Sequence, residues 1–206
     1  MTLTKTLAWT GFIIGISMLA LQFTITIPAR MAIGDTFLQA AIFFLSFFTI
    51  LSNIAACLVH LATIRSMAWL AWFDHQVTRA MMAAIIFLVM ATYHFILAPV
   101  WEPEGLFKVA DIGLHYVTPI IYLAMWMSWP RRTRLPWFSA LFMMIPSALY
   151  LVYAMTRGAL TGKYPYFFLD PAQQGYPLVA MNIAALLIVL LALSSAALAI
   201  DRARVR

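Results

Sequence analysis

The sequence predicts an all-α integral membrane protein, a bundle of six transmembrane helices with both termini on the cytoplasmic side. Of its 206 residues, 65% are hydrophobic and only 10% are charged, whereas a soluble domain carries about 25% charged residues. The apolar residues fall into six stretches, and a bilayer is crossed by roughly 20 helical residues. Because no polar segment is long enough to fold separately, we expect residues 1–206 to form one domain.

The six predicted spans follow from these stretches and from the residues that close them. The apolar part of the first is too long for a signal peptide, in which it has about 7–15 residues. Pro99 closes the third span and Pro130 the fourth, while Pro146 is a candidate kink within the fifth. A long loop, 158–176, precedes the sixth. The predicted bounds are 7–29, 36–64, 79–100, 106–129, 135–157 and 177–200.

The basic residues predict the orientation. With the N-terminus inside, nine Lys and Arg residues lie on the cytoplasmic side and four on the outer side, which agrees with the positive-inside rule. The formal charge of +6 is confined to short loops and the C-terminal tail, so it indicates topology and not a nucleic-acid partner. The nine are Lys5, Arg65, Arg79, Arg131, Arg132, Arg134, Arg202, Arg204 and Arg206.

The second span carries polar residues in a regular pattern. Gln39, Ser46, Thr49, Asn53 and His60 are separated by 7, 3, 4 and 7 residues, which places them on one face of a continuous helix. Hydrocarbon cannot satisfy their hydrogen bonds, so this face must contact other helices or a wet cavity. Cys57, in the same span, is the sole cysteine, which excludes a disulfide or a cysteine-based metal site within the chain; no metal site is predicted.

The fourth span has a similar face. Asp111, His115, Thr118 and Tyr122 are separated by 4, 3 and 4 residues, and Asp111 is one turn from His115, where a carboxylate can orient a catalytic histidine. A structural interpretation stands beside this one. An intramembrane histidine can simply link helices through a hydrogen bond, and Thr49 can bond back to the carbonyl four residues earlier.

Three segments in matching order resemble a known family. FFTILSN (47–53), DIGLHYVTP (111–119) and RGALTGKYPYFFLD (157–170) are similar to motifs of the membrane threonine hydrolases related to the androgen-induced and androgen-dependent enzymes, which have bacterial relatives. The resemblance implies hydrolysis of a fatty-acyl ester in the bacterial cytoplasmic membrane. It assigns the nucleophile to Thr49 and the base to His115, with membrane lipids and a lipid ester as partners and no cofactor.

Further site residues are predicted with supporting roles. Asp111 would orient His115, and Asn53, one turn from Thr49, would donate to the oxyanion. The aromatic loop before the sixth span would cover the site as a lid. Residues of the lid or substrate site are Ser46, His94, Tyr122, Tyr164, Tyr166 and Phe167.

Two other classes of function remain open on the sequence. A haem-binding electron carrier would use His60, His94 or His115 as axial ligands, although these residues lie at differing depths. A non-enzymatic lipid-binding or transport protein would need no activated threonine. The absence of an inverted repeat argues against a transporter.

Overall fold

The chain is described by a computed structural model that covers residues 2–131 and 133–205. Arg132 and Arg206, two of the nine basic residues predicted on the cytoplasmic side, lie outside the described residues. Helices account for 84% of the chain, and no strand forms in the described part. The all-α prediction is therefore confirmed.

Ten α-helices follow one another in the described ranges. They are α1 (Leu3–Ala32), α2 (Phe37–Leu45), α3 (Phe48–Ile64), α4 (Ala71–Asp74), α5 (Gln76–Thr92), α6 (Gly105–Ile112), α7 (Thr118–Ser128), α8 (Ser139–Thr161), α9 (Pro171–Gln174) and α10 (Tyr176–Ala203). A π turn, Tyr93–Leu97, and a 3₁₀ turn, Ala98–Val100, extend α5. A second π turn, Gly113–Val117, joins α6 to α7.

Five of the six predicted spans correspond to uninterrupted helical runs that are long and apolar enough to cross a membrane. Pro146, the candidate kink of the fifth span, lies inside α8, and the helix continues through it. The five runs are Leu3–Ala32, Gln76–Val100, Gly105–Ser128, Ser139–Thr161 and Tyr176–Ala203.

In the second span, the prediction of one continuous helix is wrong. The span is two helices, α2 and α3, bent by 75° at their junction. The junction residue Phe47 has an extended backbone, with φ −87° and ψ 130°. Gln39 therefore shares no continuous face with Thr49. Its side chain accepts a hydrogen bond from the Thr36 amide in a capping box that begins α2.

Two side chains satisfy backbone carbonyls at this break, one from elsewhere in the bundle and one local. The Tyr150 hydroxyl, on α8, donates to the Ser46 carbonyl at 3.0 Å, and the Ser46 hydroxyl donates to the Phe43 carbonyl at 2.6 Å. In an apolar surrounding, each unpaired backbone group would cost several kcal/mol. The break is therefore stabilised by tertiary contacts and not by a local Gly or Pro.

Helix α5 lies at the centre of the bundle, where it packs against α3, α7, α8 and α10, and every residue from Thr78 to Ile86 is buried. Both described chain ends lie at one end of the bundle. There the Thr4 hydroxyl donates to the Ser128 carbonyl at 2.9 Å, and Arg131 pairs with Asp201 at 2.7 Å in a buried ion pair. We call this the termini end. The opposite end, formed by residues 33–36, 101–104 and 162–175, is called the loop end.

Candidate functional site

The break gives Thr49 an unusual position. It is the second residue of α3, so the carbonyl of Leu45, four residues earlier, belongs to a different helix at a steep angle. The back-bond that usually occupies a helical threonine is not formed. Instead, Thr49 Oγ1 lies 3.2 Å from His115 Nε2 on the neighbouring π turn. The two residues that the sequence predicted as a pair are therefore brought together.

The surroundings of His115 define its tautomer. Nδ1 lies 3.0 Å from the backbone carbonyl oxygen of Asp111 and 3.2 Å from its carboxylate Oδ1. Both neighbours are hydrogen-bond acceptors, so Nδ1 must carry the proton in the neutral ring. Nε2 then presents its lone pair to the Thr49 hydroxyl. This is the protonation state that a general base requires.

Tyr93 contacts both His115 and Asp111. Its hydroxyl donates to Asp111 Oδ2, and its ring stacks on the His115 imidazole, with centroids 3.9 Å apart and an interplanar angle of 13°. The carboxylate is thus bonded on both oxygens, and the imidazole cannot rotate freely. Thr49, His115 and Asp111 form a continuous hydroxyl–imidazole–carboxylate chain, and Tyr93 fixes its far end.

Two π turns build this part of the site. Tyr93 begins the turn that follows α5, and His115 is the central residue of the turn between α6 and α7. A π turn inserts one extra residue into a helix and rotates the side chains that follow, and such turns occur frequently at functional sites. Here the two turns face each other and place the Tyr93 and His115 rings in contact.

The amino end of α3 supplies hydrogen-bond donors beside Thr49. The first amides of a helix have no partner within it. The Thr49 amide donates to the Tyr166 hydroxyl, which lies 3.4 Å away in the loop between α8 and α9. Burial raises the pKa of the Tyr166 phenol, so its hydroxyl stays protonated.

An apolar cavity adjoins Thr49, with about 580 Å³ of empty space that includes the part open to the outside. Its walls come from α3, α5, α8, α10 and the loop after α8, and nearly all are hydrocarbon or aromatic. Thr49, Thr92, Ser147, Tyr150 and Tyr166 are the lining residues that carry a hydroxyl.

Asn53 and Thr118 connect the two helices. The Asn53 amide nitrogen donates to the carbonyls of Thr49, at 2.8 Å, and Leu114, at 3.2 Å. The Thr118 hydroxyl donates to Asn53 Oδ1. Both amide hydrogens of Asn53 are therefore engaged by backbone oxygens, which leaves none for an oxyanion. The predicted donor instead holds α3 against the π turn that carries His115.

Three other predicted residues form hydrogen bonds that involve neither Thr49 nor His115. The Ser46 hydroxyl caps the last turn of α2. Tyr122 is fully buried and donates to the Arg79 carbonyl at 3.1 Å, near the termini end. His94 is exposed on the bundle surface, with Nδ1 3.0 Å from the Tyr116 hydroxyl. A substrate contact by these three residues stays a prediction without geometric support.

The loop predicted to be a lid folds against the bundle. Tyr166 packs on Phe47 at the break, with ring centroids 5.9 Å apart, and stacks on Phe168 at 5.1 Å. Tyr166 and Phe168 both line the cavity. Tyr164 lies over Gly158, where a Cβ would come within 2.1 Å of its ring, and Phe167 packs edge-on against Phe168.

The remaining histidine of the haem hypothesis has a different environment. His60 is 2% exposed, its Nε2 packs on Gly11, and its ring is edge-on to Tyr122. In residues 2–131 and 133–205, no group of three His, Cys, Asp or Glu side chains could hold a metal ion. His60, His94 and His115 each have different protein neighbours.

Two residues of the site were not assigned roles by sequence reasoning. Tyr93 adjoins Thr92 and His94 in a polar run of the third span, and that run was the available signal. Tyr150 had none, since a tyrosine in the fifth span is unremarkable in sequence. Tyr150 has a role because its hydroxyl donates to the Ser46 carbonyl, which the break leaves without a partner in the helix.

Comparison with protein-family models, with curated proteins and with solved structures finds no match to this chain. The resemblance to the threonine hydrolases therefore depends on the three sequence motifs alone.

Proposed function

We propose that this protein is an intramembrane threonine hydrolase that cleaves a fatty-acyl ester. The observation that carries the proposal is the distance of 3.2 Å between Thr49 Oγ1 and His115 Nε2, with Nδ1 held by Asp111. A β-branched threonine is a weak nucleophile unless its base is well placed. The pair also adjoins an apolar cavity, which suits an acyl chain.

In the first half of the reaction, the Thr49 oxygen attacks the ester carbonyl carbon while its proton moves to His115 Nε2. The negative charge that develops on the carbonyl oxygen is stabilised by the Tyr166 hydroxyl, whose own oxygen accepts from the Thr49 amide. Such donors, fixed in a site of low dielectric, act on the transition state. The intermediate then collapses, the alkoxide takes the proton from His115 and leaves as an alcohol, and an acyl-threonine remains.

In the second half, a water molecule attacks the acyl-threonine and gives one proton to His115. Collapse of this intermediate breaks the bond to Thr49, whose oxygen regains the proton, and a fatty acid is released. Asp111 stabilises the imidazolium formed in each half and does not itself take up the proton. No cofactor enters these steps.

We further propose that α2 and α3 form one broken span, which makes six spans with both termini cytoplasmic, in the bacterial cytoplasmic membrane. The nine-to-four distribution of basic residues supports this orientation. The site then lies in the leaflet near the loop end. A lipid ester can reach it laterally from the bilayer.

Hydrolysis of a chromogenic long-chain acyl ester by the purified protein tests this proposal. Thr49→Ala and His115→Ala should each abolish turnover. Thr92→Ala is a matched control for the first, because Thr92 lines the same cavity without contacting the histidine. His94→Ala is the control for the second, since His94 is exposed and contacts Tyr116. A non-enzymatic lipid-binding protein would instead bind the ester without turnover, and Thr49→Ala would leave that binding intact.

A further inference from the structure

A second cavity lies on the other side of α8, between α8 and α2 at the loop end. Its empty volume is about 1,410 Å³. The cavity of Thr49 is lined by Ser147, Tyr150 and Leu151, whereas this second one is lined by Leu149, Val152 and Tyr153. Opposite faces of one helix therefore serve two separate cavities. We call the second one the α2–α8 groove.

The α2–α8 groove has an apolar floor and a basic rim. Ile42 and Phe43 of α2 face the apolar side chains of α8 across it, and Arg30, Arg157 and Lys163 lie at its loop end. Leu149 and Val152 are each 65% exposed, which is costly in water but not against lipid chains. The groove is therefore amphipathic along its length.

The rim has an excess of positive charge. Its one acidic residue, Asp35, accepts from Arg30 Nε at 2.6 Å. Arg157 donates to the backbone carbonyl of Lys163 at 2.6 Å, which fixes its position without neutralising it. In the described part of the chain, neither Arg157 nor Lys163 has a carboxylate partner. Arg157 and Lys163 are thus two cations without an acidic partner. Arg30, which is paired with Asp35, lies beside them, 4.3 Å above the Phe43 ring.

The length of the groove fits one leaflet. From Leu149 to the end of α8 at Thr161 is about 18 Å at roughly 1.5 Å per residue, close to half of the roughly 30 Å hydrocarbon core. The apolar residues of α8 lie toward the middle of the bundle, and the cations lie at the end. A phospholipid has the same order of groups along the membrane normal.

We propose that the α2–α8 groove binds one anionic phospholipid, with its phosphate at Arg157 and Lys163 and an acyl chain along Phe43 and α8. Basic pockets between membrane helices bind acidic headgroups in this way. A second copy of this chain is a poorer occupant, because a symmetric pair would bring two basic rims together. The site is separate from Thr49, so the inference does not depend on the proposed hydrolase activity.

Native mass spectrometry of the purified full-length protein tests the inference, with dioleoyl-phosphatidylglycerol and dioleoyl-phosphatidylcholine titrated separately. The wild type should retain one phosphatidylglycerol in preference to phosphatidylcholine. Arg157→Gln with Lys163→Gln should weaken that binding by about 30-fold, since each basic residue near a membrane surface contributes a few-fold to the affinity. Arg65→Gln with Arg134→Gln is the matched control, because both residues are exposed cations at the termini end. Thermal unfolding of each variant verifies folding.

Several outcomes would overturn the inference. One is that the wild type retains the two lipids equally. Another is that a folded Arg157→Gln, Lys163→Gln variant binds phosphatidylglycerol as well as the wild type does. A third is that the control variant loses as much phosphatidylglycerol binding as the double variant. A dimer that excludes lipid from the groove would overturn it as well. If the double variant does not fold, Lys163→Gln alone, at an exposed loop residue, replaces it and should also weaken phosphatidylglycerol binding. None of these results bears on hydrolysis at Thr49.

Discussion

At the scale of single residues, the histidine tautomer is the feature from which the proposed chemistry follows. His115 Nδ1 contacts two acceptors that both belong to Asp111, its backbone carbonyl and its carboxylate. The carbonyl fixes the proton on Nδ1 even without the carboxylate. Asp111 therefore has two separable roles, of which only one depends on its side chain.

Asp111→Asn should consequently be much milder than His115→Ala. In triads where the carboxylate alone fixes the tautomer, the Asp-to-Asn change costs about 10⁴-fold in kcat. Here the backbone carbonyl remains, so we expect a substantially smaller loss, mainly in kcat. Steady-state ester hydrolysis measures it. A loss as large as that of His115→Ala would show that the carbonyl does not hold the ring.

Tyr166→Phe should lower kcat by about 100-fold or more, the effect of removing one oxyanion donor, with little change in KM. The Tyr166 hydroxyl is the side-chain donor beside the Thr49 amide. Tyr164→Phe is its control, because that ring lies in the same loop but packs over Gly158. Equal kinetics for the two variants would remove Tyr166 from the mechanism.

At the scale of elements, the break between α2 and α3 gives the site its shape. It frees the Thr49 hydroxyl from the back-bond of a helical threonine and presents the first amides of α3 beside it. It also steers α2 away from the bundle axis, which creates the α2–α8 groove. A continuous helix, as the sequence predicted, would have none of these features.

Tyr150→Phe tests how the break is stabilised. The substitution leaves the buried Ser46 carbonyl without its donor, and a hydrogen bond between membrane helices contributes about 0.6 kcal/mol on average and up to about 1.7. We expect a loss of that size in the free energy of unfolding, measured by denaturation in mixed micelles. Tyr153→Phe, on the exposed face of the same helix, should have no effect. Identical stability of the two variants would contradict this account of the break.

The break illustrates what the sequence could not predict. The residues around Phe47 have ordinary helical propensity, with neither Gly nor Pro between Thr36 and Ile64. Their backbone departs from the helix because Tyr150 and Tyr166, more than 100 residues later, supply the missing hydrogen bonds. Long-range hydrogen bonds leave no periodic signal. The Thr49–His115 pair could be predicted, because polar residues in apolar spans are conspicuous, and because motif similarity selected those two.

At the scale of the whole molecule, the positions of the spans could be predicted since hydrophobicity and length decide them. Helix ends differ mainly where a helix continues beyond the predicted span, as at Leu3 and Ala32 of α1. Orientation relative to a membrane is not a property of the folded chain alone. The six-span topology with cytoplasmic termini therefore stays a prediction.

Reporter fusions after Arg206 and within residues 162–175 test the topology. With six spans and cytoplasmic termini, a reporter active only in the cytoplasm should be active in the first fusion and inactive in the second. A reporter active only outside should give the reverse. The reversed pattern would contradict six spans with cytoplasmic termini, and with it the proposal that α2 and α3 together form one span. Both fusions reporting the same side would mean that α10 does not cross the membrane, which also contradicts the topology.

The central claim is that Thr49 is a nucleophile activated by His115, and covalent labelling tests it most directly. The purified protein is treated with a long-chain alkyl fluorophosphonate, and the modified residue is identified by peptide mass spectrometry. We expect one adduct, on Thr49, that forms in the wild type and in Thr92→Ala and is lost in Thr49→Ala and His115→Ala. An adduct on another residue, or a folded Thr49→Ala protein that keeps its labelling and its ester hydrolysis, would contradict the mechanism.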